Sequence, residues 1–263
     1  MYETKYHKAA SIEQAKSLLE GGDDAQLLAG GQTLIPTMKA RLAAPSDLVD
    51  ISKIDAISGV CIEGDVVSIG AATTHSQVAA SADLRSICPA LCDLAANIGD
   101  PAVRNRGTLG GSIANNDPAA DYPAAMLALS AVIVTDAREI AADEFFQGMF
   151  TTALEEGEMI LSVRFTAPAK AAYAKFPNPA SRYAMCGVFV TVSDAVRVAV
   201  TGAGNNGVFR ASEMESALEA DLSPGSVEGI APDVDDMLSD IHGDGAYRAN
   251  LVSVMARRAI AAL

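Results

Sequence analysis

Two glycine-rich segments carry the residue types that hold phosphate groups. The longer one runs from Gly99 to Pro123, GDPAVRNRGTLGGSIANNDPAADYP. Its Gly110-Gly111 pair has no β-carbons, so the backbone can make turns and close approaches that a side chain would block. The hydroxyls of Thr108 and Ser112 flank that pair. Exposed backbone N–H groups, hydroxyls and a helix start are how proteins bind phosphate. A long surface loop closed by a capped helix is the structural alternative.

The flanks of the same segment carry further predictions. Arg104 and Arg106 are expected to place positive charge near a bound anion. Asp117-Pro118 is typical of a helix N-cap followed by proline at the first helical position. This pattern predicts a helix from Pro118 to Leu129.

The second segment lies earlier in the chain and follows the same logic. Gln26 to Ala29 predicts a short apolar strand, and Gly30-Gly31-Gln32-Thr33 comes directly after it. Leu34 to Leu42 predicts a helix with Pro36 in its first turn, and Asp47 to Ile51 predicts another strand. This order indicates a β-α-β unit with a phosphate site at the carboxyl end of its first strand.

Periodicity and turn residues divide the rest of the chain near Ala167-Pro168. Before that point we expect the hairpin 59–71, the helices 75–80, 89–97 and 118–129, and the strands 131–135 and 158–165. After it we expect the strands 171–176, 184–193 and 195–201 and the helices 212–220 and 247–263. Val188 and Val190 alternate with Phe189 and Thr191, which predicts a partly buried antiparallel strand.

The composition excludes several classes of function. The 263 residues carry a formal net charge of −14, whereas binding to duplex nucleic acid requires a basic face. No apolar run approaches the length of about 18 residues that indicates a membrane span. The first residues, MYETKYHKAAS, lack the apolar core of a signal peptide. We therefore expect no nucleic-acid partner, no membrane span and a cytoplasmic location.

The four cysteines do not form a metal-binding motif. Cys61, Cys88, Cys92 and Cys186 include no C-x-x-C pair. Zinc or iron–sulfur ligation needs more ligands at matching spacing. We expect buried free thiols and no metal site on this chain.

A third glycine-rich segment, Gly202-Ala203-Gly204-Asn205-Asn206-Gly207, spells the G-x-G-x-x-G pattern of dinucleotide-binding proteins. That pattern requires a helix immediately after it and an acidic residue at the end of a second parallel strand. Glu219 and Asp221 instead fall within or just after a predicted helix, and Asn-Asn-Gly is ordinary turn sequence. We expect a turn here, with a nicotinamide site as the alternative.

The first two glycine-rich segments together resemble the FAD-binding medium subunits of the molybdenum hydroxylases, of the carbon monoxide dehydrogenase and xanthine dehydrogenase type. Ala29 to Pro36 looks like one of the two loops that hold the flavin diphosphate in that family, and Gly99 to Ser112 looks like the other. The resemblance continues through Asp117 to Asp121. It resumes at Ser239 to His242 and at Tyr247-Arg248, so it covers nearly the whole chain.

The resemblance implies an α+β fold. Residues 1–166 would form a two-lobed FAD-binding domain, with a small β-α-β lobe at about 1–52 and a larger α+β lobe at about 53–166. FAD would lie between the lobes. Residues 167–263 would form a C-terminal medium-subunit domain, a three-stranded antiparallel sheet with helices.

The resemblance also implies which residues bind FAD. The two loops would do so through Ala29, Gly30, Gly31, Gln32, Thr33 and Leu34 on one side and Thr108, Gly110, Gly111 and Ser112 on the other. Asn115 and Asp121 match positions near the diphosphate and ribose, and a helix-start acid is the alternative for Asp121. Tyr183 would face or cover the isoalloxazine, or else pack at a strand edge.

His75 is expected to be a loop or cap residue, with a ligand contact as the alternative.

The function implied by the resemblance is electron transfer. In such enzymes a molybdenum subunit oxidises the substrate, two [2Fe-2S] clusters carry electrons singly, and FAD passes them to an external acceptor. The molybdenum cofactor and the clusters would lie on a large molybdopterin-binding subunit and a small [2Fe-2S] subunit, in a dimer of heterotrimers. No catalytic residue is expected on this chain. The alternatives are a scaffold subunit that has lost FAD and a nicotinamide-dependent dehydrogenase acting alone.

Overall fold

The N-terminal sheet is built on the β-α-β pattern that the sequence predicts. A computed structural model describes residues 1–263 and gives this sheet three parallel strands in the order β1-β3-β2. Its elements are β1 (Lys5–Lys8), α1 (Ile12–Glu20), β2 (Ala25–Leu28), α2 (Leu34–Lys39) and β3 (Asp47–Asp50). The Ser11 side chain caps α1 by accepting a hydrogen bond from the Gln14 N–H. Strand β1 was not predicted, because its largely exposed residues KYHK carry no apolar pattern.

A five-stranded antiparallel sheet follows, in the order β4-β5-β10-β6-β7. Its helices cover one face, and the core between them includes Val67, Leu91, Ile113 and Val163. The elements of this part of the chain are β4 (Val60–Glu63), β5 (Val66–Gly70), α3 (His75–Ala80), α4 (Ala82–Ile87), α5 (Pro89–Ala96), α6 (Pro101–Arg104), α7 (Leu109–Asn115), α8 (Tyr122–Ala128), β6 (Val132–Thr135), β7 (Glu139–Ala141), α9 (Ala142–Phe145), β8 (Phe146–Gly148), β9 (Thr151–Thr152) and β10 (Ile160–Thr166).

The C-terminal part is a four-stranded antiparallel sheet with two helices. Its elements are β11 (Lys170–Pro177), β12 (Ala184–Val192), β13 (Val196–Thr201), β14 (Phe209–Arg210), α10 (Ser212–Ala220) and α11 (Gly245–Ile260). The three predicted strands are confirmed, and the two-residue strand β14 adds a fourth to the predicted three-stranded sheet. None of the helices combines the length and apolar composition that crossing a bilayer requires.

Strand β12 is buried on both faces, not on one as its alternation predicted. Val188 and Val190 pack with α11 in one hydrophobic core. Phe189, on the opposite face, belongs to the core of the preceding part of the chain, and the Thr191 hydroxyl donates to the Ala128 carbonyl at 2.7 Å. The two faces of the sheet therefore serve two different cores, which joins the C-terminal sheet firmly to α8.

The predicted helix from Pro118 to Leu129 is wrong at its beginning, because α8 begins only at Tyr122. The Asp117 side chain accepts from the Ala119 N–H within a turn, at 2.8 Å. The Pro118 carbonyl accepts hydrogen bonds from the Gly202 N–H and the Thr201 hydroxyl. These bonds to the C-terminal sheet replace the helical bonds that the local pattern predicted.

Three of the four cysteines are buried free thiols, as expected: Cys88, Cys92 and Cys186. Cys61 lies on β4 and is exposed, contrary to the expectation. No group of three or more His, Cys, Asp or Glu side chains is arranged to hold a metal ion.

Candidate functional site

A cleft of about 1090 Å³ opens between the N-terminal sheet, the second sheet with its helices, and the loop that joins β11 to β12. This volume is at the upper end of ligand pockets, which measure roughly 300–1,000 Å³, so the cleft suits a large, extended ligand. All the residues expected to bind a cofactor line it: Ala29, Gly30, Gly31, Gln32, Thr33, Leu34, Thr108, Gly110, Gly111, Ser112, Asn115, Asp121 and Tyr183.

The first Gly-Gly loop connects β2 to α2 and presents unpaired backbone donors. The N–H groups of Gly30, Gly31, Gln32 and Thr33 donate no hydrogen bond within the chain. Gly31 has φ +68°, a conformation that glycine adopts without the cost a side chain brings. Thr33 occupies the N-cap position of α2, and its hydroxyl makes no capping bond. Consecutive free N–H groups at a turn form a concave site for an anion.

The two Gly-Gly loops are in direct contact. A β-carbon at Gly30 would stand 2.2 Å from the carbonyl oxygen of Arg106 and 2.7 Å from the Cα of Gly107. On the same side, a β-carbon at Gly111 would lie 3.8 Å from that of Ala29. Only glycine at position 30 allows the two loops to approach this closely, and their approach forms the floor of the cleft.

The second loop contributes side chains and few free amides. The Leu109 and Gly110 N–H groups donate to the carbonyls of Thr73 and Ala71, and the Gly111 N–H donates to the Thr108 hydroxyl at 3.1 Å. The first turn of α7 is therefore largely satisfied within the chain. The free polar groups that this helix turns to the cleft are the side chains of Ser112 and Asn115, which lie on one face at a spacing of three residues.

Arg104 and Arg106, which are expected to place positive charge near a bound anion, do not themselves line the cleft. Arg104 donates to the carbonyls of Ile98 and Gly99 at 3.1 and 2.9 Å and so holds the turn before α6. Burial raises the pKa of Asp50 on β3, but hydrogen bonds from Tyr6 and Ser52, with a smaller contribution from the Arg106 charge, lower it overall. Arg182, in the loop after β11, is the cation that lines the cleft.

Comparison with known proteins identifies the family of this chain and the cofactor of that family. The sequence profile of the family described as "FAD binding domain in molybdopterin dehydrogenase" matches residues 2–168. The chain belongs to this family. Its members carry FAD, and the proteins to which it is similar are subunits of oxidoreductases, the medium subunits of molybdenum hydroxylases.

Relatives of this family are similar over nearly the whole chain. The carbon monoxide dehydrogenase medium chain of Hydrogenophaga pseudoflava is 34% identical, with 97% of this chain and 95% of the relative covered. The nicotine 6-hydroxylase medium subunit of Paenarthrobacter nicotinovorans is 35% identical at the same coverage. The structure of reconstituted carbon monoxide dehydrogenase from Oligotropha carboxidovorans superposes with a TM-score of 0.90 at 33% identity, covering 98% of this chain and 96% of that one. The predicted family and its α+β fold are confirmed.

His75 is both a helix-start residue and part of the cleft lining. It follows Thr74, whose capping box begins α3, and its ring packs against the backbone of Gly107. The side chain is buried, and Nδ1 has no hydrogen-bond partner. Burial, assisted by the nearby Arg104 charge, lowers the pKa of His75 to about 4. A neutral imidazole with an unpaired nitrogen therefore borders the cleft at neutral pH.

Asp121 is a buried carboxylate in the wall of the cleft. It occupies the N-cap position of α8, as the helix-start alternative predicted, although its side chain makes no capping hydrogen bond. Tyr173 and Lys175 of β11 donate hydrogen bonds to it. Burial raises the pKa of the Asp121 carboxyl, and the Lys175 charge acts in the opposite direction.

Tyr183 stands at the mouth of the cleft, at the end of the loop between β11 and β12. It is half-exposed, and its carbonyl accepts from the Asn178 N–H at 2.7 Å, which closes the loop. Burial, together with the charges of Asp117 and Asp121, raises the pKa of Tyr183. Its ring is placed where it can cover a ligand.

One wall of the cleft was not predicted at all. Gly157, Glu158 and Met159 line it from the turn before β10. A hydrogen bond from Arg138 is the main reason that the pKa of Glu158 falls to about 2. No sequence signal marks this turn, because only the pairing of β10 with β5 and β6 brings it to the cleft.

The third glycine-rich segment is a turn, as expected. It joins the antiparallel strands β13 and β14, and no helix follows Gly207 directly. It lines a separate, smaller cavity of about 440 Å³. This segment lacks the parallel strand and the helix that a nicotinamide site requires.

Proposed function

We propose that this chain is the FAD-carrying electron-transfer subunit of a molybdenum hydroxylase, passing electrons from iron–sulfur clusters on a partner chain to an external acceptor. The observation that carries the proposal is the convergence of both Gly-Gly loops on one large cleft. FAD suits this role because it exchanges electrons singly or in pairs. The chain's own contribution is to bind and orient the cofactor.

Each part of the cleft has a proposed role in that binding. The free N–H groups of Gly30 to Thr33 hold the diphosphate, since they form the anion site of the first loop. Ser112 and Asn115 donate to it from α7. Asp121 accepts from ribose or ribityl hydroxyls, and Tyr183 covers the isoalloxazine.

We also propose a division of the chain into two domains, which follows from the proposed FAD site. Residues 1–166 form the FAD-binding domain, with lobes at about 1–52 and 53–166, and residues 167–263 form the C-terminal domain. The separate hydrophobic core around Val188, Leu251 and Met255 supports this division. The contact of β12 with α8 means that the two domains are not independent.

The proposed partners are a large molybdopterin-binding subunit and a small [2Fe-2S] subunit, arranged as a dimer of heterotrimers. The names of the relatives, medium chain and medium subunit, support a multi-subunit enzyme. Relatives named for carbon monoxide and for nicotine are almost equally similar to this chain. We therefore place the choice of organic substrate on a partner chain.

The test is the visible spectrum of the chain purified with its co-expressed partners, in the wild type and in Gly111→Leu. Gly111 lines the cleft; a β-carbon there would lie 2.9 Å from the Thr108 hydroxyl, whose side chain must shift slightly, and 3.8 Å from that of Ala29. Leucine is a good helix former. The variant should assemble and lose the flavin absorbance while the iron–sulfur bands remain. Ala102→Leu, at an exposed position of α6 outside the cleft, is the matched control.

Two outcomes would count against the proposal. A wild-type complex that assembles without flavin would favour the scaffold alternative. Flavin retained at full occupancy by Gly111→Leu would place the cofactor outside this cleft.

A further inference from the structure

Asp121 belongs to the wall of the cleft, but its hydrogen-bond partners come from the C-terminal sheet. The Tyr173 hydroxyl donates to Oδ1. The Lys175 ammonium lies 2.8 Å from Oδ1 and 3.0 Å from Oδ2. The side chains of Asp121 and Lys175 are 4% and 7% exposed, so this ion pair is shielded from water.

Neither Tyr173 nor Lys175 lines the cleft. Both point from the same face of β11, two residues apart, and reach the carboxylate from behind the cleft wall. Whatever they do for a bound cofactor they therefore do as positioning residues, through the residues of the wall that they contact.

Other bonds join the same wall to the same sheet. The Thr201 hydroxyl donates to the Ala120 carbonyl at 2.6 Å, next to Asp121. The Lys175 ammonium also donates to the Asn97 carbonyl at 3.1 Å, beside the cleft residues Ile98 and Gly99. The C-terminal sheet thus holds two segments of the wall at once.

A buried carboxylate that loses its cation is unfavourable, because no water replaces the lost partner. It responds by taking up a proton or by turning toward solvent. For Asp121 the accessible solvent is the cleft, where a bound diphosphate would add like charge. The Lys175 pairing therefore both neutralises Asp121 and fixes its direction.

We propose that Lys175 and Tyr173 position Asp121 for FAD, so that the docked C-terminal sheet, and not the two Gly-Gly loops alone, sets the affinity for the cofactor. This inference rests on the proposed function of the cleft. It assigns to β11 a part in FAD binding although no residue of that strand touches the cleft.

The experiment is a titration of FAD fluorescence with the cofactor-free full-length chain. Lys175→Met should weaken FAD binding by about 10- to 100-fold, the scale of one charge-assisted hydrogen bond. Lys170→Met, at an exposed position of the same strand, should leave it unchanged. Tyr173→Phe removes a single hydroxyl and should weaken binding about 10-fold; it provides the measurement if Lys175→Met does not fold.

A double-mutant cycle separates positioning from general stability. In an Asp121→Asn background, adding Lys175→Met should change FAD affinity by no more than about twofold, because the group that Lys175 positions is already altered. Equal losses in both backgrounds, or wild-type affinity in Lys175→Met and Tyr173→Phe, would overturn the inference. A wild-type chain that binds no FAD would instead overturn the proposed function.

Discussion

Gly30 of the first loop packs directly on the Arg106 carbonyl of the second, at a distance that no β-carbon could occupy. The contact joins the two lobes at the floor of the cleft. Gly30→Ala should therefore force the loops apart and weaken FAD binding at least 10-fold, since the donors on either side no longer converge. Equilibrium dialysis with FAD measures the loss.

Gly225→Ala is the control for this substitution. Gly225 has no positive φ, and a β-carbon there meets only the Ser223 hydroxyl at 3.8 Å. This variant should bind FAD like the wild type. Unchanged FAD affinity in Gly30→Ala would mean that the lobes can separate without harm to the site.

Local sequence patterns predicted the helices, strands and turns that form without contacts to distant parts of the chain. The strand, Gly-Gly turn and helix around Gly30 follow from short-range preferences, and so do the hairpin of β4 with β5 and the three long strands of the C-terminal sheet. The prediction that both loops share one cleft came from a family resemblance, not from periodicity. Their contact is a tertiary feature that single-segment patterns do not encode.

Two failed predictions, the helix start at Asp117-Pro118 and the cleft wall at Glu158, have a common physical cause. Asp117-Pro118 has the sequence of a helix start, but its backbone is bonded to Thr201, which is 83 residues away along the chain. The unpredicted wall at Glu158 likewise depends on strand pairing. The tertiary hydrogen bonds at the Pro118 carbonyl compete with a local preference of about 1 kcal/mol, and the sequence pattern does not show them.

The free amides of the first loop predict a strong preference for ligands with a diphosphate. ADP, which carries the diphosphate without the flavin, should compete with FAD for the cofactor-free chain. Riboflavin, which lacks the diphosphate, should bind at least about 100-fold more weakly than FAD, since several charge-assisted bonds are lost. Competition titrations monitored by flavin fluorescence test both statements. Equal affinities for riboflavin and FAD would contradict the assignment of the Gly30 loop.

Asp240 and Arg248, in the C-terminal part of the chain, are expected to stabilise the fold and not to bind FAD. Arg248 is 4% exposed and donates to the carbonyls of Met185 and Gly202 at 2.8 and 2.7 Å, and to Asp240 at 2.7 Å. Arg248→Met should lower the free energy of unfolding by about 3 kcal/mol, because it leaves two buried carbonyls unpaired. Chemical denaturation measures this loss. Replacement of the exposed Arg258 by Met is the control, and equal stabilities of the two variants would contradict the role.

The lowered pKa of His75 predicts how the stability of the cofactor-free chain depends on pH. Its pKa is about 4 in the folded chain, against 6.5 without burial, so between these values the unfolded chain binds more protons. The free energy of unfolding should therefore fall as the pH drops from 6.5 toward 4, by on the order of 3 kcal/mol in total. The Glu158 carboxyl acts in a lower window, between its usual pKa of 4.5 and about 2, so the two effects separate. His75→Gln should flatten the upper window in urea denaturation measured across this range, while the same change at the exposed His242 should not. A slope that persists in His75→Gln would assign the acid sensitivity to another group.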